Sequence, residues 1–241
     1  MKKYSISIAL SICALTTLLV LCNKLEQPKP IIILLNGASA SGKSSIQKEL
    51  QKLFSTPYLG MGLDSFFVGV LPLRFVTGPQ LPHDISHELV MKGEVGKDDQ
   101  GNRLFTLLVG PEGDKVMHGM HYAIAAYAQQ GSNCIVDYIA YKRSWISNLY
   151  AAWHSAATVY LIGVDCPIEI LEEREKARGR SFVEGHARSH YITVHDHFDN
   201  NYDLRVDTSK LTAEQCAHKI YNFITHERAP KAFAELANHL K

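Results

Sequence analysis

An eight-residue motif near the start of the chain constrains the fold more than any other segment. Its residues are, in order, Gly37, Ala38, Ser39, Ala40, Ser41, Gly42, Lys43 and Ser44. They fit the pattern G-x-x-x-x-G-K-S/T, and residues 31–35 before them are an unbroken Ile and Leu run, typical of a strand buried on both faces. Residues 43–54 carry apolar side chains on one helical face. A strand, a tight turn and a helix in this order predict a loop whose backbone N–H groups surround phosphate oxygens.

Side chains at the end of this loop have distinct expected roles. Lys43 is expected to reach the β- and γ-phosphates of a nucleotide, and the Ser44 hydroxyl is expected to bind Mg²⁺. Residues 37–42 and Ser45 complete the predicted nucleotide-binding set. The alternative is a Gly/Ser-rich turn that merely precedes a lysine, and the flanking strand and helix argue against it.

Apolar strands alternate with amphipathic helices through the rest of the body. Further strands are expected at 58–61, 134–136, 159–164 and 204–206, and further helices at 116–130, 145–153, 168–178 and 212–224. This alternation predicts an α/β three-layer sandwich with a central parallel sheet. Residues 67–115 interrupt it with Gly, Pro and a turn at 98–102 between two short extended pieces. Insertions of this kind often carry specificity.

Charge and cysteine content narrow the functional classes. The 241 residues include 25 basic and 24 acidic side chains, for a formal net charge of +1. A chain without a basic excess is not expected to bind nucleic acid by neutralising phosphates. The body cysteines, Cys134, Cys166 and Cys216, lack C-x-x-C spacing, so nothing requires an oxidising compartment.

The amino terminus differs from the body in composition. Lys2 and Lys3 precede the uncharged, apolar residues 4–22, which at about 1.5 Å per residue approach the ~30 Å hydrocarbon thickness of a bilayer. One hydrophobic helix is therefore expected, as an anchor or an export signal, in a membrane-associated or exported chain. A buried core helix and a misassigned start codon are the alternatives. If the chain is anchored and its domain uses ATP, that domain is expected to face the cytosol.

The chain accordingly divides into three parts. Residues 1–30 form the amino-terminal segment and linker, residues 31–226 the α/β domain, and residues 227–241 a helical tail.

Two carboxylates follow predicted strands. Asp137 ends the strand at 134–136, where a second magnesium-directed carboxylate is expected; the alternative is a helix cap or turn residue. Asp64 follows the strand at 58–61, and ligands of open parallel sheets bind beyond the carboxyl ends of strands. An Asp there can accept the proton of a substrate hydroxyl, although it can also cap a helix.

Basic side chains cluster near the end of the helix predicted at 168–178. Arg174 and Arg178 are four residues apart and can clamp phosphate charge together, with Arg180 beside them; the alternative is a solvated helix with Glu–Arg pairs. His186 and His190 are also four residues apart, but no H-E-x-x-H or Cys partner favours zinc. A mobile, moderately basic helix is expected there.

These motifs, taken in order, resemble the chloramphenicol phosphotransferase-like kinases. The matching segments are 33–45, 63–66, 119–121, 135–137, 171–179 and 202–209, and the resemblance runs from about Ile31 to Phe223. It implies a P-loop kinase fold that moves the γ-phosphate of ATP to a small-molecule hydroxyl, with a chloramphenicol-like acceptor among the candidates. Asp64 then matches the base, Lys43 and Ser44 the phosphate and magnesium contacts, and Arg174 and Arg178 the lid arginines. The amino terminus and the insertion at 67–115 depart from the family pattern.

The sequence thus predicts an ATP- and Mg²⁺-dependent small-molecule kinase. Two alternatives stay open: a zeta-toxin-like kinase of a nucleotide-sugar, and a nucleotide-binding module without catalysis. Asp64 argues against the second alternative, because a binding module has no need of a base.

Overall fold

A parallel sheet of five strands forms the centre of the computed structural model, which describes residues 29–71, 90–179, 184–227 and 229–238. The strands are β1 (Ile31–Asn36), β2 (Tyr58–Gly62), β3 (Met91–Lys97), β4 (Arg103–Val109), β5 (Asn133–Tyr138), β6 (Thr158–Asp165) and β7 (Leu204–Asp207). The central sheet has the order β2-β5-β1-β6-β7, whereas β3 and β4 form a separate antiparallel pair. The predicted parallel sheet is therefore confirmed.

Helices connect the strands and cover both faces of the sheet. They are α1 (Lys43–Leu53), α2 (Leu63–Val70), α3 (Pro111–Gln129), α4 (Arg143–Trp153), α5 (Ile168–Ala177), α6 (His186–Thr193), α7 (Ala213–Asn222) and α8 (Ala232–Glu235). Two short 3₁₀-helices lie at Asp196–Phe198 and Leu236–Asn238, and one π-helical turn lies at Phe223–Glu227. The helix predicted at 116–130 begins earlier, at Pro111, because proline fits the first turn of a helix, where its missing N–H is not needed.

The central strand β1 supplies both halves of the hydrophobic core. Ile32 and Leu34 belong to a cluster with the apolar faces of α3 and α4, whereas Ile33 and Leu35 belong to a cluster with α1 and α7. All four side chains are fully buried. Consecutive side chains of a strand point to opposite faces, so an unbroken apolar run is required when helices cover both. The three-layer arrangement follows directly.

The insertion forms a hairpin that packs on α6. β3 and β4 pair around a turn in which the Asp98 carboxylate accepts hydrogen bonds from the N–H groups of Gln100 at 3.0 Å and Asn102 at 2.8 Å. The backbone N–H of Phe105 donates to the carbonyl of Gly185 at 3.0 Å, just before α6. The predicted turn between two extended pieces is confirmed, and the hairpin lies beside the end of the sheet where the motif loop lies.

The amino-terminal helix predicted at residues 4–22 lies outside the described residues. Among the residues that are described, no helix is both long and apolar enough to cross a bilayer. At the other end of the chain, Ala232, Phe233 and Leu236 pack into the same core as α3 and α4.

Two glycines of α3 should respond in opposite ways to substitution. A Cβ at Gly113 would overlap the carbonyl oxygen of Val90, whereas among the described residues no atom lies within 4 Å of a Cβ at Gly119. Gly119→Ala should therefore stabilise the protein by about 0.5–1 kcal/mol, because alanine loses less backbone entropy in a helix. Gly113→Ala should destabilise it by about 1–3 kcal/mol, since the overlap must be relieved by moving the backbone.

Urea unfolding of the two variants and the parent protein measures this difference. Equal shifts of the unfolding midpoint in both variants would show that α3 does not contact Val90 as the structure has it.

Candidate active site

The motif loop has the backbone shape that its sequence predicts. Ala40 and Gly42 both have positive φ angles, of 64° and 96°, and Gly42 directly precedes α1. A Cβ at Gly37 would contact the Val164 carbonyl oxygen and the Ser41 hydroxyl, so only glycine fits there. A non-glycine residue in the left-handed region costs about 1–2 kcal/mol, and such strain concentrates at functional sites. The loop therefore carries the tight turn expected of a phosphate cradle.

Lys43 lies at the centre of the loop and is buried. Its ammonium donates to the carbonyl oxygens of Gly37 and Ala38, both at 2.9 Å, and lies 3.6 Å from a carboxylate oxygen of Asp137. Burial lowers the pKa of Lys43, and the nearby Asp137 opposes this effect. The positive charge is thus held inside the curve of the loop.

Ser44 and Asp137, the two residues expected to bind magnesium, are hydrogen-bonded to each other. The Ser44 hydroxyl donates to Asp137 Oδ2 at 2.5 Å. Asp137 is a residue of β5 that pairs with Leu35 of β1, so the alternative that it caps a helix is wrong. A hydroxyl and a carboxylate are oxygen ligands of the kind that Mg²⁺ prefers. The Ser41 hydroxyl oxygen lies in the same loop. It is buried and has no hydrogen-bond partner among the described residues.

The site fits a magnesium ion that is bound partly by protein oxygens and partly by oxygens of a phosphate. Within the described ranges, no group of three or more His, Cys, Asp or Glu side chains could hold a metal ion by itself. Mg²⁺ in phosphoryl-transfer sites is usually bound by one or two protein oxygens, phosphate oxygens and water. The pair of Ser44 and Asp137, together with an unpartnered Ser41 hydroxyl, matches that arrangement.

Asp64 lies at the same edge of the sheet because of the strand pairing. Gly62, the last residue of β2, pairs with Asp137 of β5, and a Cβ at Gly62 would lie 3.1 Å from the Asp137 carbonyl oxygen. Asp64 follows two residues later in α2, with part of its surface in contact with solvent, and no side chain caps the start of that helix. Partial burial by the surrounding site, followed by the charge of Asp137, raises the pKa of Asp64; Lys43 and Arg178 oppose the shift. The carboxyl thus faces the site and does not serve as a helix cap.

Arg174 of α5 is folded onto the motif loop. Its guanidinium donates to the Ala40 carbonyl at 3.4 Å, and to the hydroxyl and the carbonyl of Thr208 at 3.0 and 2.8 Å. The solvated helix that was the alternative is therefore wrong for Arg174. Arg178 is exposed and lines the adjoining cavity, while Arg180 lies outside the described residues.

A cavity of about 630 Å³ adjoins the loop on the side of β7. Its lining includes Ala40, Gly42, Arg174, Arg178, Thr208 and Thr212. The sheet order places this cavity beyond β6 and β7, whereas Asp64 follows β2 at the opposite edge, so the motif loop lies between them. Thr208 was not predicted as a site residue, although it directly follows β7 and the rule that located Asp64 would have located it too.

The helix that carries His186 and His190 is α6, and both histidines are shielded from solvent in it. Burial lowers the pKa of His186 to about 4 and holds that of His190 well below its ordinary value. Both imidazoles are therefore neutral near pH 7, and Arg188 supplies the positive charge of α6. The buried carboxylate of Glu175 fixes the start of α6 by accepting from the N–H groups of Gly185 at 3.0 Å and Ala187 at 2.7 Å.

Solved structures share this fold. A sugar kinase from Janibacter sp. HTCC2649 aligns with a TM-score of 0.58 at 16% identity, covering 85% of this chain and 99% of its own. An APS kinase from Mycobacterium tuberculosis, in complex with AMPPNP and APS, aligns with a TM-score of 0.54 at 14% identity, covering 82% of this chain and 99% of its own. At such identities the similarity establishes the P-loop kinase fold alone.

Sequence comparison identifies the family. A curated protein of Mycobacterium tuberculosis strain H37Rv, named as a candidate O-phosphotransferase, is 27% identical over 212 residues, which are 87% of this chain and 88% of that protein. The family model described as chloramphenicol phosphotransferase-like protein matches residues 30–225, which contain the loop, both carboxylates and both arginines of the site. The chain is a member of the chloramphenicol phosphotransferase-like family.

Proposed function

We propose that this protein transfers the γ-phosphate of ATP to a hydroxyl group of a small molecule, with Mg²⁺ as cofactor. One observation carries the proposal: β2 and β5 end side by side, so that Asp64 lies near Asp137 of β5 and near Lys43 and Ser44 at the end of the motif loop. The arrangement combines a phosphate cradle with a carboxylate in position to accept a proton. A small-molecule kinase needs both parts.

The nucleotide would lie along the loop, with its nucleoside in the cavity beside β7. Backbone N–H groups of residues 37–44 and the ammonium of Lys43 would bind the phosphates. The cavity, at about 630 Å³, is within the usual range of ligand sites and is lined by Thr208 and Thr212. The structurally similar APS kinase binds AMPPNP, an ATP analogue, which supports ATP as the phosphate donor.

Ser44 and Asp137 would hold the magnesium ion, which neutralises phosphate charge when bound. Lys43 exchanges its hydrogen bonds to the Gly37 and Ala38 carbonyls for contacts with phosphate oxygens. Arg174 holds the loop to Thr208, and Arg178 supplies positive charge at the edge of the cavity. Each of these groups favours the negative charge on the transferring phosphoryl group.

Asp64 would orient the acceptor hydroxyl and take its proton as the new phosphate ester bond forms. The oxygen of that hydroxyl attacks the γ-phosphorus in line with the departing ADP oxygen. A raised pKa makes the Asp64 carboxylate a better proton acceptor than an ordinary aspartate. Positioning and charge stabilisation supply most of the rate in such reactions.

A nucleotide-binding module without catalysis fits the site less well. Asp64 caps no helix, and its surroundings raise its pKa. A carboxyl with a raised pKa in the folded state lowers the free energy of unfolding at neutral pH. A carboxylate kept at such a cost indicates a role in catalysis. A nucleotide-sugar acceptor, by contrast, uses the same chemistry and differs only in the acceptor.

Asp64→Asn is the experiment that tests the proposed function. Phosphoryl transfer should fall by about 10²–10⁴-fold, because the amide cannot accept the proton, while the Kd for MgATP measured by calorimetry stays nearly the same. Asp99→Asn, in the exposed turn of the hairpin, is the matched control and should transfer phosphate at the parent rate. Full transfer by Asp64→Asn would remove Asp64 as the base, and absence of MgATP binding by the parent protein would refute the kinase assignment.

Lys43→Met should impair both nucleotide binding and turnover. The substitution removes the charge inside the loop, so kcat should fall by about 10²-fold or more, and MgATP should bind more weakly. Lys48→Met alters an exposed lysine of the same helix and should leave both quantities unchanged. Equal effects of the two substitutions would mean that the loop does not bind phosphate.

The pH dependence should report the raised pKa of Asp64. Only the ionised carboxylate accepts a proton, so kcat/KM should decline on acidification through a pKa above the ordinary aspartate value of about 3.9. The measurement is a pH–rate profile, with circular dichroism at each pH to separate this decline from acid unfolding. A decline centred at or below about 3.9 in folded protein would contradict the assignment.

A further inference from the structure

A threonine directly after β7 joins that strand to the motif loop. The hydroxyl oxygen of Thr208 lies 2.8 Å from the Ser41 carbonyl oxygen, although 167 residues separate the two in the chain. The methyl group of Thr208 faces the next residue of the loop, since a Cβ at Gly42 would lie 3.6 Å from it. Thr208 is buried and lines the cavity beside the loop. Both branches of this side chain are therefore directed at the peptide between Ser41 and Gly42.

The position of Arg174 determines how the Thr208 hydroxyl is used. A threonine hydroxyl has one proton to donate and can also accept, whereas a guanidinium only donates. Arg174 donates to Thr208 Oγ1 at 3.0 Å, so the hydroxyl proton is left for a carbonyl oxygen. The Ser41 oxygen, at 2.8 Å, is closer than the Asp165 oxygen, at 3.3 Å. The Ser41 carbonyl is thus held by a hydroxyl that a charged group holds in turn.

The backbone of Thr208 is fixed from two sides. Its N–H donates to the carbonyl of Asp165, the last residue of β6, at 3.0 Å. Its carbonyl accepts a hydrogen bond from Arg174 of α5 at 2.8 Å. The hydroxyl is therefore placed by the sheet and by α5, and it can hold the loop in one conformation from outside. Binding sites depend on such supporting residues for their precision.

The direction of the Ser41 carbonyl determines the direction of the Gly42 N–H. The two groups belong to one trans peptide, in which C=O and N–H point in opposite directions. With the carbonyl directed at Thr208, the Gly42 N–H is directed away from Thr208. The preceding peptide differs, because the Ser41 N–H already donates to the Ala38 carbonyl at 3.3 Å. Gly42 directly precedes α1, at the helix end that favours an anion.

We propose that Thr208 is a positioning residue for phosphate binding: its hydroxyl holds the Ser41 carbonyl so that the Gly42 N–H is directed at a phosphate oxygen before the nucleotide binds. Thr208 then acts on the phosphates of the donor and not on its nucleoside. A group that is held in its bound orientation in advance loses less conformational entropy on binding. This inference rests on the proposed function and adds a residue to the donor side of the same site.

Thr208→Val tests the proposal, because valine has the shape of threonine and lacks the hydroxyl. Calorimetry measures the Kd of MgATP and the Kd of magnesium tripolyphosphate, which has no nucleoside. Both Kd values should rise by about tenfold or more in Thr208→Val, since a hydrogen bond to a charged phosphate is weakened. Thr208→Ser keeps the hydroxyl and should bind both probes within about threefold of the parent Kd.

Thr225→Val is the matched control. The Thr225 hydroxyl also donates to a backbone carbonyl, that of Tyr221 at 2.7 Å, in an exposed turn after α7. This variant loses the same kind of hydrogen bond and should bind both probes with the parent Kd. Melting temperatures are measured in parallel, because a purely structural role of Thr208 would lower the melting temperature while the folded protein keeps its affinity for tripolyphosphate.

Amide ¹H–¹⁵N spectra of the parent protein test the orientation without any substitution. Magnesium tripolyphosphate should shift the amide proton signal of Gly42 downfield, as expected when an N–H donates to a charged oxygen. Gly131 is the control, because it also has a positive φ and its N–H already donates to the Ala128 carbonyl at 2.8 Å. The Gly131 signal should stay where it is.

The probes distinguish the proposal from a direct contact with the nucleoside. A weaker Kd for MgATP with an unchanged Kd for tripolyphosphate would mean that Thr208 contacts the nucleoside, and the inference would be overturned. An unchanged Kd for MgATP in Thr208→Val, absence of tripolyphosphate binding by the parent protein, or an unshifted Gly42 signal would overturn it as well.

The inference and the proposed function can fail separately. Phosphate binding that depends on Thr208, in a protein that transfers no phosphate, would support the inference and refute the proposed function. Phosphoryl transfer by a Thr208→Val protein that binds MgATP and tripolyphosphate with the parent Kd values would support the proposed function and refute the inference.

Discussion

The side chain of Asn36 holds the junction on which the whole site depends. Asn36 is the last residue of the central strand and is fully buried. Its amide donates to the Val194 carbonyl at 2.8 Å and to the Tyr202 hydroxyl at 2.7 Å, and its oxygen accepts from the Ala140 N–H at 3.2 Å. The point where the strand becomes the motif loop is therefore fixed to the end of α6, to the approach of β7 and to the loop after β5. A buried polar group satisfied in this way specifies one arrangement of its neighbours.

The order of the strands places different side chains on the two sides of the motif loop. β5 and β2 extend from β1 in one direction and bring Asp137 and Asp64 to the loop, whereas β6 and β7 extend in the other direction and bring Thr208. Ligands of parallel sheets bind beyond the carboxyl ends of such strands. In the function proposed above, the donor nucleotide and the acceptor would approach the γ-phosphate from opposite sides, which is the geometry that in-line transfer requires.

Local patterns were sufficient to predict the parts of the fold and site that depend on nearby residues. The strand predicted at 31–35 and the motif loop each follow from a few adjacent positions. Asp64 and Asp137 could be placed because each directly follows, or ends, a recognisable strand. The unpaired nitrogens of His190 and the contact between Thr208 and the Ser41 carbonyl could not be predicted, because each depends on segments far away in the chain. Their sequence signals are single polar residues, which also occur on solvated surfaces.

Ion pairs connect α5, α6 and the hairpin next to the motif loop. Arg188 donates to Glu172 of α5 at 2.6 Å and to Asp98 of the hairpin turn at 3.0 Å, and hydrogen bonds from Asn102 and then Arg188 hold the pKa of Asp98 below its ordinary value. Because Arg188 is only 16% exposed, solvent screens these pairs less than it screens surface pairs. Arg174 lies on α5 and contacts the loop, while His186 and His190 lie on α6. Arg188 therefore connects α5, which contacts the motif loop through Arg174, to α6 and to the hairpin turn.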